Sequence, residues 1–533
     1  MGKIQRIRES KTGKTIVKKG KSGIGRILFG RTGIILLLLL LQLGILFIVF
    51  SRLQQHIIYA YWLFVLLSAL TAILIINRPG NPAFKLAWMV PITFFPVFGM
   101  LLYLFVEFQA GTVWLNHRLQ NVEQQMRKYV LQDPDVFEEL EKTDKRVANL
   151  SRYVTEKGGF PTYKNYHTTY YPWGKDKFEA LIEELNKAEK FIFMEYFIVA
   201  EGKMWNTVLE ILKKKVQEGV EVRFMYDGMG NLFTLPHGYE KAMQEKGIQC
   251  KIFAPVRPAL SSYQNNRDHR KICVIDGHTA FTGGVNLADE YINQRVRFGH
   301  WKDTAVMLKG KAVDSFTMMF LQLWDVTERD AEEYRRFLCP ETFHMPEGMD
   351  YGGFVMPYAD SPLDGENVGE SVYLDILGRS RRYVHITTPY LILDDTTLAA
   401  LKFAAKRGVE VIIIMPHIPD KLYAYLLARS YYAELLRAGV QIYEYTPGFI
   451  HAKMFTSDDE KAVVGTINLD FRSLYLHFEC ASYFFRNAVV MDVEEDFQKT
   501  LAKSERITLE NCRKYPFIRR FAGKALRILA PLM

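Results

Sequence analysis

The chain has 533 residues, of which 49% are hydrophobic and 24% charged, and its formal net charge is +9. These values are ordinary for a globular protein of two or three domains, and the basic balance suits an anionic partner. The five cysteines are too far apart to form a Cys-x-x-Cys pair, which argues against a disulfide framework or a zinc site. They are Cys250, Cys273, Cys339, Cys480 and Cys512. We predict no metal and no cofactor.

The excess positive charge lies at the start of the chain. Residues 1–32 hold ten Lys or Arg and one acid, Glu9. By the positive-inside rule, this segment predicts a basic cytoplasmic arm. The arm is either a solvated tail or a segment that also attracts anionic lipid head groups.

Three apolar runs follow the arm, at residues 33–50, 57–76 and 86–106. Their lengths are close to the roughly 20 residues that cross a bilayer core. They predict two or three transmembrane helices and a multi-pass membrane protein. The third run contains Pro91 and Pro96, so it either crosses or re-enters. The two cases place the remaining chain on opposite faces of the membrane.

The rest of the chain contains a repeat. After a polar linker at 107–160, residues 161–345 and 346–512 each contain a helix, an apolar strand, a helix, a second strand and a His-Lys-Asp segment. This order predicts an α/β fold of two similar domains that form a pseudo-dimer around one site. Residues 513–533 predict a basic amphipathic helix, which lies on the domain surface or at a membrane interface.

Each copy of the repeat carries the motif His-x-Lys-x4-Asp. The motif residues are His269, Lys271 and Asp276 in the first copy and His451, Lys453 and Asp458 in the second. In a strand, residues i and i+2 face the same side, so each His and Lys should project together. Asp459 follows Asp458 directly, but the spacing favours Asp458. The Asp residues are expected to organise the motif more than to react.

Other polar residues recur near the motifs. Asn286 and Asn468 each lie 17 residues after a motif histidine, and Glu479 lies 28 residues after His451. The acids near the matching stretch of the first copy are Glu290 and Asp303. We predict that the asparagines bind phosphate and that the carboxylates orient the histidines.

These residue types suit phosphodiester chemistry. Lysine and asparagine side chains can hold the phosphate oxygens and stabilise charge in the transition state. One imidazole can attack phosphorus to form a phosphohistidine, and the other can protonate the leaving alkoxide and then deprotonate the incoming hydroxyl. Two motifs with equal spacing therefore predict one site built from two halves.

At these residues the chain resembles the phospholipase D superfamily, and more closely the bacterial cardiolipin synthases. The strings that carry the likeness are NPAFKLAWMVPITFFPVFGMLLYLF, HRKICVIDG, FTGGVNLADEY, GHWKD, ITTPYLI, HAKMFTSD, VVGTINLDFRSLYLHFE and RRFAGKALRILAPLM. The resemblance implies transfer of a phosphatidyl group between two phosphatidylglycerol molecules, giving cardiolipin and glycerol. It also implies that His269 is the nucleophile and His451 the general acid and base, although pseudo-symmetry allows the reverse. The first apolar run departs from the family's usual two membrane segments.

Three other functions are compatible with parts of this pattern. A phospholipase D-type hydrolase would share the covalent step and differ in using water as acceptor. A nuclease of the superfamily is disfavoured by the apolar runs and by the lack of a long basic groove, so no nucleic acid partner is predicted. A non-enzymatic scaffold would need both His-Lys pairs to be vestigial.

Overall fold

The computed structural model describes residues 57–107, 110–164, 166–256, 265–328, 333–344 and 352–532, with a few positions between 40 and 48. These residues belong to two compact units, one built from Met1–Pro79, Trp88–Gln109 and Pro255–Gln264 and the other from the rest of the chain. The first predicted apolar run, at 33–50, lies outside the described residues apart from those few positions.

The smaller unit contains a helical pair. The second apolar run forms helix α1 (Ile57–Asn77), and the third is divided between α2 (Pro82–Phe94) and α3 (Pro96–Glu107). The division follows from Pro96, which begins α3 because proline fits the first helical position. Ser68 Oγ of α1 donates to the Pro96 carbonyl oxygen of α3 at 2.7 Å. Among the described residues, no helix combines the length and the apolar character that crossing a membrane requires.

The segment predicted as a linker is helical and partly packed. It forms α4 (Ala110–Met126), α5 (Pro134–Thr143) and α6 (Lys145–Gly158). Asp144 separates α5 from α6, and its carboxylate caps α6 by accepting the Arg146 amide at 2.8 Å. Apolar residues of α5 and α6 join the core of the second repeat, so this segment is more than a connection. They are Leu140, Val147, Ala148, Leu150 and Val154.

The first repeat is a mixed sheet covered by helices. In the described residues its strand order is β1-β9-β7-β6-β2-β3-β4, with β2, β3 and β4 parallel. Every residue of β2 (FIFMEY) is buried, as expected for a strand covered on both faces. The strands are β1 (His167–Tyr171), β2 (Phe191–Tyr196), β3 (Glu221–Asp227), β4 (Gln249–Phe253), β5 (Arg267–Asp268), β6 (Lys271–Ile275), β7 (Thr279–Gly283), β8 (His300–Lys302) and β9 (Ala305–Lys309). The helices are α7 (Gly174–Lys187), α8 (Lys203–Gln217), α9 (Tyr239–Gln244) and α10 (Val313–Trp324).

The second repeat has the same topology with one added edge strand. Its order in the described residues is β10-β19-β17-β16-β11-β13-β14-β20. The strands are β10 (Phe354–Asp360), β11 (Tyr383–Thr387), β12 (Leu391–Ile392), β13 (Glu410–Pro416), β14 (Gln441–Tyr445), β15 (Gly448–Ile450), β16 (Met454–Ser457), β17 (Lys461–Gly465), β18 (Leu469–Asp470), β19 (His477–Phe485) and β20 (Ser504–Ile507). The helices are α11 (Val368–Arg379), α12 (Asp395–Lys406), α13 (Leu422–Arg437), α14 (Phe471–Tyr475), α15 (Val489–Leu501), α16 (Leu509–Lys514) and α17 (Phe517–Leu529). The predicted repeat is therefore confirmed: β6 and β16, which follow the two motif histidines, hold equivalent places.

Two short parallel pairings join the repeats. Strand β5 pairs with the start of β19, and β8 pairs with β15. Each pairing sets the residue before one motif histidine against a strand of the other repeat. The histidine of each repeat therefore lies at the junction, close to the residues of its counterpart.

The predicted C-terminal helix corresponds to α16 and α17. Helix α17 packs against α13, where a Cβ on Gly523 would lie 2.4 Å from the Leu426 carbonyl oxygen. The Arg527 guanidinium lies over the Tyr431 ring, 4.1 Å from its centroid. Phe517, Ile518 and Phe521 remain largely exposed. The helix is thus attached to the domain by one face and presents apolar side chains on another.

Candidate active site

Each motif histidine pairs with a carboxylate of the other repeat. His269 Nδ1 lies 2.8 Å from Glu479 Oε1, and His451 Nδ1 lies 2.7 Å from Asp303 Oδ2. All four side chains are buried. A hydrogen bond from Nδ1–H to a carboxylate holds an imidazole in the tautomer that leaves Nε2 free to react. Neither half can therefore form an oriented histidine alone.

Backbone hydrogen bonds also join each motif histidine to the other repeat. The His269 amide donates to the Phe478 carbonyl at 2.9 Å, and the His451 amide donates to the Lys302 carbonyl at 2.7 Å. Phe478 directly precedes Glu479, and Lys302 directly precedes the partner acid of His451. The same backbone geometry thus presents an acid to each histidine.

The two motif lysines are buried beside the histidines. Lys271 Nζ donates to the carbonyl of His269, and Lys453 Nζ donates to that of His451. Burial lowers the pKa of Lys271 to about 8 and that of Lys453 to about 7, while Glu479 and Asp303 act in the opposite direction. A bound anion would replace lost solvation, so the two ammonium groups form a site that favours negative charge.

Burial and positive neighbours also favour the neutral form of both histidines. The pKa of His269 lies well below its ordinary value because of burial and the charge of Lys271. Burial and Lys453 lower the pKa of His451 to about 4, although Asp303 raises it. An anionic phosphodiester would offset these effects by restoring negative charge beside the rings.

The two acids differ in their electrostatics. Burial tends to raise the pKa of Asp303, but the charge and hydrogen bond of His451 lower it overall. Burial raises the pKa of Glu479 well above its ordinary value, against the opposing effects of Lys271 and a hydrogen bond from Thr466. Of the two acids, Asp303 therefore has the lower pKa relative to its ordinary value and is the more readily ionised.

The two asparagines stand at equivalent places in the two repeats, but different side chains hold them. Asn286 Oδ1 accepts the Ile198 amide at 2.9 Å, and its Nδ2 donates to Tyr291 Oη at 2.8 Å. Asn468 Nδ2 donates to Ser473 Oγ at 3.0 Å. Each amide group is buried and held by a neighbour, and each Nδ2 keeps a second hydrogen that could bond a phosphate oxygen.

The motif aspartates lie at the far ends of their strands. Asp276 accepts the amides of Glu189, Lys190 and Phe191, each at 2.8 Å. Asp458 accepts the three amides of the equivalent segment, Arg381 to Tyr383. The shared pattern identifies Asp458, and not Asp459, as the counterpart of Asp276. Both residues have positive φ angles, 52° and 58°, in the turns that follow β6 and β16.

Glu290 is not brought to the histidines in the way that Asp303 is. Its carboxylate pairs with Arg297 at 3.3 Å in the turn after β7. Of the two acids that the sequence offered for the first repeat, the structure therefore pairs Asp303 with a histidine.

Sequence reasoning missed several residues of the site. Thr466 Oγ1 donates to Glu479 Oε2, and Tyr291 holds Asn286. His477 lies two residues before Glu479, and its ring centroid is 5.4 Å from that of His269. The position of His477 in a strand, two residues from an acid, was the one available signal, because it places both side chains on one face.

One group of side chains in the described part of the chain could hold a metal ion. Donor atoms of His269, His477 and Glu479 all lie within 4.8 Å of one another. The same carboxylate already orients His269, so a metal here would compete with the arrangement that leaves the imidazole reactive.

Comparisons with known proteins agree with this geometry. A family model described as "Cardiolipin synthase, PLD-like domain" matches residues 181–324 and 373–501, and one described as "Phospholipase_D-nuclease N-terminal" matches 60–107. A solved phosphatidylserine synthase of Haemophilus influenzae shares the fold, with a TM-score of 0.54 and 13% identity over 72% of this chain and all of that one.

Sequence relatives extend over most of the chain. Cardiolipin synthase 2 of Bacillus anthracis is 35% identical over 85% of this chain and 87% of its own length. The cardiolipin synthase of Halalkalibacterium halodurans is 32% identical over 94% of this chain and 99% of its own length. A Streptococcus mutans protein described as uncharacterised is 50% identical over 86% of this chain and 98% of its own length.

The fold, the two repeats and the matching family model define a phospholipase D-type phosphatidyltransferase. Within that class, the chain belongs to the cardiolipin synthase family.

Proposed function

We propose that this enzyme makes cardiolipin from two phosphatidylglycerol molecules by two displacements at one phosphorus atom. His269 Nε2 attacks phosphorus. The bond to the glycerol oxygen breaks as His451, which takes up a proton when the anionic phosphodiester binds beside it, protonates that oxygen. A hydroxyl of a second phosphatidylglycerol, deprotonated by His451, then attacks the phosphohistidine and breaks its N–P bond. The products are cardiolipin and glycerol, and both histidines return to their starting states.

The observation that carries this proposal is that each repeat supplies the carboxylate that pairs with the motif histidine of the other repeat. Two buried, oriented imidazoles support double displacement, which needs such a pair, whereas a scaffold does not. Two lysines and two asparagines accompany them. Lys271, Lys453, Asn286 and Asn468 would hold the non-bridging oxygens and stabilise the charge that grows on them.

The difference between the acids supports His269 as the nucleophile. Asp303 is the more readily ionised of the two acids. It therefore stabilises a protonated His451 better than Glu479 stabilises a protonated His269. The group that must gain and release protons benefits from the stronger anion, whereas a nucleophile must start neutral.

The lipid substrate explains the segments outside the repeats. Residues 60–107 match the N-terminal region of phospholipase D-like proteins, and exposed Phe517, Ile518 and Phe521 lie on a basic helix. We propose that both segments serve attachment to the bacterial plasma membrane, where phosphatidylglycerol and other anionic lipids are the partners.

The proposal is tested by incubating the full chain with phosphatidylglycerol vesicles and analysing the products by mass spectrometry. Cardiolipin with glycerol is expected. Phosphatidic acid with glycerol, and no cardiolipin, would instead identify a hydrolase that uses water as the acceptor.

The variants His269→Ala and His451→Ala provide the mechanistic control. Each should lower turnover to background while the protein still folds, because each removes one of the two displacement groups. Formation of cardiolipin at the normal rate by His269→Ala would contradict the mechanism.

A further inference from the structure

His477 is a third buried imidazole beside His269, and the steps described above do not use it. It lies two residues before Glu479 in β19, so both side chains leave the strand on the same face. Its Nδ1 is 3.8 Å from Glu479 Oε1. His477 therefore faces the site in which His269 reacts.

Both ring nitrogens of His477 are buried and have no hydrogen-bond partner among the residues that the structure describes. An unpaired buried polar group destabilises the folded protein, and native proteins contain few of them. Another buried histidine of the same repeat shows the usual arrangement. His385 Nδ1 lies 2.9 Å from Glu494, and its Nε2 lies 3.4 Å from Glu410. His477 thus differs from His385 in having no hydrogen-bond partner for either ring nitrogen among the described residues, and it lies beside the ring of His269.

The equivalent position of the other repeat has the same property. Trp301 lies two residues before Asp303, and its ring centroid is 5.6 Å from that of His451. Its Nε1 is also buried without a partner in the described part of the chain. Equivalent positions beside His269 and His451 therefore carry a ring nitrogen that has no hydrogen-bond partner among the described residues.

The surrounding charge indicates which ligand would suit His477. Burial, with Arg472 and Lys271 as further causes, places the pKa of His477 well below its ordinary value. The neutral ring then offers one N–H donor and one acceptor nitrogen. These cationic neighbours repel a divalent metal ion and attract an anion, whose oxygen atoms accept hydrogen bonds.

We propose that His477 is a further phosphate-binding residue, which donates its ring N–H to a non-bridging oxygen of the phosphodiester that His269 attacks. The inference rests on the proposed function only in requiring that a phosphodiester occupies this site. It predicts an unusual combination, in which removing the ring nitrogens weakens oxyanion binding without lowering the stability of the empty protein.

The test compares the full chain with His477→Phe and His477→Asn in detergent micelles, with vanadate as the probe. Vanadate affinity is measured by titration calorimetry, and the melting temperature is measured without vanadate. We expect His477→Phe to bind vanadate about tenfold more weakly, with a melting temperature equal to or above that of the wild type. His477→Asn keeps an N–H donor and should stay within about threefold of the wild-type affinity.

The matched control is His385→Phe, which should melt at a lower temperature and keep its vanadate affinity, because His385 is a paired structural residue. Wild-type vanadate affinity in His477→Phe would overturn the proposal. A fall in its melting temperature as large as that of His385→Phe would overturn it too. So would stoichiometric binding of Zn²⁺ to the wild type that His477→Asn abolishes. Vanadate binding needs no acceptor lipid, so it can be read whether the enzyme makes cardiolipin or phosphatidic acid.

Discussion

The two motif histidines have the same hydrogen-bond geometry but different partners, Glu479 for His269 and Asp303 for His451. The pKa of Asp303 is lowered overall by the charge and hydrogen bond of His451, whereas burial raises the pKa of Glu479 well above its ordinary value. This difference between the carboxylates supports the proposal that the two motif histidines have different roles, although the motif alone makes them equivalent. It can be tested one side chain at a time.

We expect Asp303→Asn to lower kcat by about a thousandfold, because His451 loses both its orientation and the anion that stabilises its protonated form. Glu479→Gln should lower kcat less, by about a hundredfold. Rates of cardiolipin formation measure both effects. An Asp303→Asn enzyme that is faster than Glu479→Gln would reverse the assignment of nucleophile and acid.

The buried lysines predict an alkaline limit to activity. A lysine is charged below its pKa, and the pKa values of Lys453 and Lys271 are about 7 and about 8 in the free enzyme. As pH rises through this range, both groups lose their protons and the phosphate loses its counter-charges. We therefore expect kcat/KM for phosphatidylglycerol to fall as pH rises from about 7 to 9. A flat profile to pH 9.5 would contradict this account.

At the scale of single elements, the motif aspartates at the ends of β6 and β16 have a structural role. Asp276 lies in the turn after β6 and accepts three backbone amides of the segment that leads into β2. Asn can adopt the same positive φ but has one acceptor oxygen instead of two. We expect Asp276→Asn to lower the free energy of unfolding by about 1–3 kcal/mol. Its kcat per folded molecule should fall far less than that of Asp303→Asn. Denaturant titration measures the loss of stability, and rate assays on the same preparation measure the loss of kcat.

The segments GGVN and GTIN that end the next strands differ at two positions, and at the first of them Gly284 stands where the second repeat has Thr466. A Cβ on Gly284 would lie 2.0 Å from Asp303 Oδ1, whereas the equivalent Thr466 bonds Glu479 through its hydroxyl. Gly284→Ala should therefore displace the Asp303 carboxylate and reduce kcat nearly as much as Asp303→Asn. Thr466→Ala is the matched variant, and it should cost less because it removes one hydrogen bond without a clash. Normal kcat in Gly284→Ala would show that the carboxylate can move without loss.

Sequence patterns were sufficient for the local elements but not for the pairings between repeats. Alternation within a strand predicted that His269 and Lys271 share a face, and the repeat predicted one site from two halves. No local pattern could show that Asp303 serves His451, because that depends on β8 pairing with β15 across about 150 residues. The same holds for the packing of α5 and α6 in the core of the second repeat, since their polar composition hides a narrow apolar face.

For the whole molecule, the shared site predicts that activity cannot be recovered by mixing defective chains. His269→Ala and His451→Ala each keep one intact motif, but each chain lacks one histidine of its own junction. An equimolar mixture should remain at background, because the histidines that cooperate belong to one chain. Recovered cardiolipin formation would show that repeats from different chains can exchange. Mixing either variant with wild type controls for inhibition.

The exchange of acids also bears on how such a protein could diverge. In a dimer of two identical single-repeat chains, one codon would set the acid on both sides of the axis, so the two half-sites could never differ. Joining the repeats in one polypeptide gives each position its own codon. The fusion permits unlike residues at equivalent positions of the two repeats. Three such pairs are Asp303 and Glu479, Trp301 and His477, and Gly284 and Thr466. Covalent linkage is thus what allows a symmetric scaffold to divide an asymmetric reaction between its halves.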